Sequence, residues 1–181
     1  MTATPILIGY FPKQTLKRPD WLKAKNVEEV CSVSECTSEG PDGWIDKWKH
    51  NAMWVYDSPE LALSVVPETA RLEFDLYAYG MLAVEFVEGL ECPLEFPPIN
   101  VQPLPTSFER LGYDVVSCSG GHCFDCSPLS CNHMAERVAV NCHCLVDSQD
   151  VALELAANFE AEGCEPGPYR VIEVWRQRKD S

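Results

Sequence analysis

With 181 residues, 46% of them hydrophobic and 23% charged, the chain is long enough to bury a core without staples and too apolar to stay disordered. Twenty-eight acidic against fourteen basic residues leave a formal charge of -14, which repels phosphate backbones and anionic lipid and argues against nucleic acid as a partner. No apolar run approaches the roughly 20 residues that cross a bilayer, and residues 1–10 lack the basic and long apolar regions of an export signal, so no membrane partner is expected and a cytoplasmic setting with reduced thiols is.

In chain order, residues 4–11 have the character of a short apolar strand, and a polar segment with Lys17, Arg18 and Pro19 leads to a short helix expected over 20–25. A second strand is expected over 27–34. The turn Pro41-Asp42-Gly43 precedes a helix over 43–50 with Trp44, Ile45 and Trp48 on one face, so both tryptophans should dock and His50 should meet the helix C-terminus. A compact strand over 52–56 runs into Asp57-Ser58-Pro59-Glu60, a helix start with Ser58 as cap and Pro59 at the first helical position; the helix should end before Pro67.

Leu72, Phe74, Leu76 and Ala78 alternate with Glu73, Asp75, Tyr77 and Tyr79, and the alternation resumes at Leu82, Val84 and Phe86. With Gly80 between the two runs, this predicts a hairpin that buries its aliphatic face and turns acids and tyrosines outward. Pro93, Pro97, Pro98, Pro103 and Pro105 mark an extended connection. Strands follow at 113–118, 144–146 and 169–175, with a helix between the last two. That helix is capped by Asp147 or Ser148, carries Val151, Leu155 and Phe159 with Ala152 and Ala156 beside them, and stops at Gly163. The expected fold is α+β, a mixed, largely antiparallel sheet with several short helices packed on it. It forms one domain over 1–181, made of an N-terminal segment (residues 1–87), the proline-rich connection (residues 88–105) and a Cys/His-containing segment (residues 106–181). No long repeat, heptad or glycine-rich phosphate loop is legible.

Six of the ten cysteines and three of the four histidines lie between Cys118 and Cys144. Zinc needs four soft or borderline ligands converging tetrahedrally, and the two-residue spacing of Cys123 and Cys126 lets one tight turn present two sulfurs. If Cys142 and Cys144 lie on a strand, both point to one face while His143 points away, so Cys123, Cys126, Cys142 and Cys144 form the preferred ligand set, with Cys131 and His133 as alternates. A closed site of that kind would be structural. Buried, inert thiols are the competing explanation, because cysteine packs as a small hydrophobe. Cys123, His143 and Asp147 can also be written as a nucleophile, base and orienting acid, though their spacing does not single them out.

The string Trp54-Val55-Tyr56-Asp57-Ser58-Pro59-Glu60-Leu61-Ala62 resembles a segment of ADP-ribosyltransferase-like folds, where a strand ending in a polar residue leads into a short helix beside the nicotinamide pocket. The resemblance covers these residues alone and implies an NAD-using transferase with a concave site lined by Tyr10, Tyr56 and acids. Asp125 or Glu136 would stand in the place of its catalytic glutamate. A third expectation is an acidic inhibitor or immunity-type protein that meets a basic protein through Glu28, Glu29, Glu35, Glu39 and Asp42. The leading expectation is a binding or interaction module with a structural zinc; the sequence specifies no small-molecule ligand or substrate.

Overall fold

The computed structural model describes residues 4–34, 36–37, 40–82, 100–118, 124–131 and 134–179. Its strands are β1 (Ile6–Lys13), β2 (Leu16–Lys17), β3 (Glu29–Val30), β4 (Asp75–Met81), β5 (Phe108–Ser117) and β6 (Tyr169–Gln177), and its α-helices are α1 (Pro59–Leu63), α2 (Pro128–Cys131) and α3 (Gln149–Glu162). Four strands form one sheet in the order β1-β4-β6-β5, and β2 pairs with β3 separately. The α+β class is as expected, and every strand pairing among the described residues is antiparallel. The central β4–β6 pair joins strands from both sides of the proline-rich connection.

The backbone contains a repeat that sequence reading misses. One row across the sheet runs Gly9, Tyr79, Val174, Gly112, so the two outer glycines stand symmetrically about the central pair. Each outer strand bulges just before its glycine, between Leu7 and Gly9 and between Arg110 and Gly112. A bulge frees a carbonyl from the ladder, and both are claimed by asparagine: Asn51 Nδ2 donates to the Ile8 carbonyl at 3.0 Å and Asn141 Nδ2 to that of Leu111 at 2.8 Å. Each asparagine opens a tight turn with a left-handed residue at its fourth position, Trp54 and Cys144, both with φ of 62°. Each turn then pairs with its outer strand, Tyr56 with Tyr10 and Val146 with Tyr113. The asparagine amides also reach Asp57 and Asp147 at 2.9 and 2.8 Å, just ahead of α1 and α3. Bulged strand, asparagine turn, helix and central strand therefore occur twice, related by a dyad between Tyr79 and Val174.

Helix α1 begins as its sequence dictates, with Ser58 Oγ accepting from Leu61 N–H and Pro59 in the first turn. Helix α3 stops at Gly163, whose φ of 65° suits a left-handed cap. Its buried face is Ala152, Ala156 and Phe159 rather than a stripe through Val151, which is exposed. No helix occupies 20–25, and the strand expected over 27–34 is reduced to β3. The segments 52–56 and 144–146 are turns, each tied to the sheet by one bridge.

Two further expectations are overturned. Strand β4 runs straight through Gly80 with no hairpin there, because Gly80 leaves room for an aromatic ring: a Cβ at that position would meet the Trp175 indole at 2.7 Å. Residues 83–99, with Val84 and Phe86, lie outside the described residues. Tyr77 and Tyr79 are as buried as Leu76 and Ala78, since both faces of this central strand are covered, so the tyrosines border no groove. At 43–50 the chain makes only a 3-10 turn, Ile45–Lys47, closed by Trp48 at a φ of 48°. Trp44 docks edge-on to Phe11 at 4.9 Å, whereas Trp48 is 77% exposed. His50 stacks on Trp54 at 5.0 Å instead of meeting a helix end.

Candidate metal centre

The loops around Asp114 place the thiols. This β5 residue has no exposed surface, and its carboxylate accepts four hydrogen bonds. Ser32 Oγ at 2.7 Å and Val33 N–H at 2.8 Å approach one oxygen, while Ser127 Oγ at 2.6 Å and Val115 N–H at 2.9 Å approach the other. Burial pushes the carboxyl up from its ordinary range, against these donors. One buried acid thus fastens the segment after β3 to the segment before α2.

On the first segment Ser34 Oγ donates to the Asp125 carbonyl at 2.8 Å and accepts from Cys36 N–H at 3.2 Å, and Cys36 Sγ reaches the same carbonyl at 3.3 Å. Lys13 Nζ, almost wholly buried, holds the carbonyls of Ser32 and Ser34 at 2.5 and 3.2 Å. On the second, Asp125 N–H and the Cys126 carbonyl bond to the Ser117 backbone at 3.0 and 2.8 Å, extending the edge of β5. The single helical turn α2 then brings Cys131 back, its N–H on the Ser127 carbonyl at 2.7 Å. As a result the sulfurs of Cys36, Cys126 and Cys131 lie within 4.8 Å of one another. A tetrahedral zinc with bonds of about 2.3 Å holds its sulfurs about 3.8 Å apart, so the group needs only a small contraction to close on an ion.

The Cys126 thiol donates toward Cys131, and this lowers the Cys131 thiol from its ordinary value despite burial. Cys126, as the donor, is pushed up, with burial adding to the effect. Burial likewise raises the partly exposed Cys36.

Of the ligand set expected from sequence, Cys126 joins this group, as does the alternate Cys131. Cys123 and His133 lie outside the described residues. Cys142 and Cys144 are not on a strand: they occupy the second asparagine turn, where left-handed Cys144 is buried with Sγ toward the Leu129 carbonyl at 3.8 Å. The strand that would turn both thiols to one face is therefore not there. His143 belongs to a second group, with Glu29 and Cys31. Asp147 is bonded to Asn141, so His143 takes Glu29 as its carboxylate instead. Cys36 escapes sequence reading because it stands far from the dense Cys/His stretch and arrives only by tertiary folding.

Tyr10 and Tyr56 have no exposed surface and face each other across a backbone bridge, so they line no concave site. Glu136 accepts from Lys23 N–H at 3.3 Å. Of the acidic residues named for a basic partner, Glu28 and Asp42 are exposed, Glu29 is paired with His143 and Arg176, and Glu35 and Glu39 lie outside the described residues. No helix among the described residues is long and apolar enough to cross a membrane. No family model, curated protein or solved structure matches this chain.

Proposed function

We propose that the chain is a binding module whose irregular loops are held by one structural zinc ion that takes Cys36, Cys126 and Cys131 as three of its four ligands. The observation that carries this is the convergence of three sulfurs from distant segments that the buried Asp114 fastens together. Zinc in such a site contributes an apparent ~10–16 kcal/mol at neutral pH in small zinc domains, on the scale of whole-domain stability. Its role is to order the loop surface for a partner, and a net charge of -14 suits a basic protein.

Elemental analysis of protein purified under reducing conditions without added zinc, with a thiol count before and after chelation, tests the reading. About one zinc per chain is expected at this site, with Cys126 and Cys131 reacting only after chelation and Cys126→Ser or Cys131→Ser losing that ion. Metal-free protein in which Cys126 and Cys131 react as fast before chelation as after it would refute it.

A further inference from the structure

We infer that Glu29, Cys31 and His143 form a second, mixed-donor site for a borderline divalent cation of the zinc and cobalt class, with Arg176 as the cation that occupies it in the ion's absence. Glu29 Oε1, Cys31 Sγ and His143 Nδ1 lie within 4.8 Å of one another, the nitrogen 2.8 Å from the oxygen and 4.0 Å from the sulfur. Oxygen, sulfur and imidazole nitrogen on one centre select the borderline ions that each of these ligands suits, and not magnesium or calcium.

The donors are set in place by backbone. Glu28 N–H and Glu29 N–H both donate to the Cys142 carbonyl, at 2.9 and 3.1 Å, and Cys31 N–H donates to the His143 carbonyl at 3.0 Å. His143 N–H is in turn bonded to Asn141 Oδ1 at 2.9 Å, so both segments of the site hang on the second asparagine turn. Behind Cys31 the Tyr77 hydroxyl reaches Sγ at 3.5 Å and contacts Thr15 Oγ1 at 2.5 Å, and Thr15 is bonded to Asp75. Outer partners of this kind orient metal ligands. In the first half of the molecule the place of His143 in the turn is taken by Met53, which is buried, so only one of the two turns brings a ligand.

Arg176 Nη1 donates to Glu29 Oε1 at 2.7 Å and lies 3.8 Å from Cys31 Sγ, where it balances the charge an ion would otherwise balance. An entering cation competes with it and, once bound, leaves the guanidinium as an outer donor to Glu29. Removing that positive charge should therefore tighten binding, whereas a simple ion-pair cluster would gain no metal affinity.

Cobalt titration of the reduced, metal-free full chain separates this site from the three-thiol site, on which it does not depend. The ligand-field and thiolate-to-cobalt absorption bands should report two ions per chain, one lost in His143→Gln and in Glu29→Gln, the other lost in Cys131→Ser. Arg176→Met should bind the His143-dependent ion about tenfold more tightly, as expected on removing a like charge a few ångströms away. Circular dichroism confirms that each variant is folded, and Glu29→Gln serves if His143→Gln is not. Equal cobalt uptake by wild type and both ligand variants, or unchanged affinity in Arg176→Met, would overturn the inference. Failure of the three-thiol site would remove only the Cys131-dependent ion.

Discussion

Ser127 donates to Asp114 across 2.6 Å of closed interior, joining the last strand before the thiol loop to the loop itself. The opposite carboxylate oxygen is satisfied by Ser32 and Val33, so no face of Asp114 tolerates an amide NH2. Asp114→Asn should cost about 3 kcal/mol or more, since a hydrogen bond to a buried charged group contributes about 1.5–3 kcal/mol and one oxygen's bonds are lost together. Urea unfolding of reduced protein reads this directly. A loss below about 1 kcal/mol would mean that the loops are held by other contacts.

Gly9 and Gly112 should prove equally intolerant of a side chain. Their φ angles are 149° and 146°, and a Cβ would meet the Tyr56 carbonyl at 2.7 Å or the Val146 carbonyl at 2.9 Å. Alanine at either position should cost about 2–3 kcal/mol through strain and displaced backbone. Gly163→Ala, at a φ of 65° with open space around it, should cost only about 1 kcal/mol. Thermal melts that rank Gly163→Ala as the worst of the three would contradict the close approach of turn and bulge.

The two tryptophans at 44 and 48 should part company. Trp44 is enclosed by Phe11, Trp54 and Tyr56, and Trp44→Ala should cost about 3–5 kcal/mol. Trp48→Ala should change stability by no more than about 0.5 kcal/mol, as for other exposed positions. Denaturant melts of the single variants decide between this and a helix with both indoles docked.

Alkali should unfold the protein through its buried phenols. Burial pushes Tyr10 and Tyr56 up to about 12, with the charge of Glu60 adding to the effect on Tyr10. A phenol that holds its proton more tightly when folded gives stability that is intact below about pH 10 and lost as pH rises toward 12. Tyr56 also has a buried hydroxyl with no hydrogen-bond partner among the described residues. Tyr56→Phe should therefore be neutral or slightly stabilising at pH 7 and should move the alkaline midpoint upward, followed by absorbance at 295 nm and circular dichroism. A lower midpoint in this variant would sink the account.

Local signals were legible where local chemistry decides. Ser58 and Pro59 start a helix and Gly163 ends one because caps answer to neighbouring backbone groups. The hairpin at Gly80 failed because a glycine that turns a chain and one that makes room for an indole look alike in sequence, and the Trp175 ring lies far away along the chain. The Trp44 and Trp48 stripe assumed 3.6 residues per turn, whereas a single 3-10 turn with a left-handed end swings Trp48 outward. At the candidate metal centre the density of cysteines drew attention to the right region, but Cys36 and the hub Asp114 come from elsewhere. The repeat stayed hidden because the residues the halves share are few and scattered, such as Gly9 and Gly112, Tyr10 and Tyr113, Asn51 and Asn141, and the pairs Asp57-Ser58 and Asp147-Ser148.

The dyad between Tyr79 and Val174 has a consequence for composition as well as shape. Two identical subunits related by such an axis would set the same residue opposite itself and carry every turn ligand twice or not at all. Here a tyrosine faces a valine on the axis, and Met53 answers His143 across it. Covalent continuity releases the halves from identity, so an architecture built for symmetric, paired sites can place its histidine and its thiols in single copy.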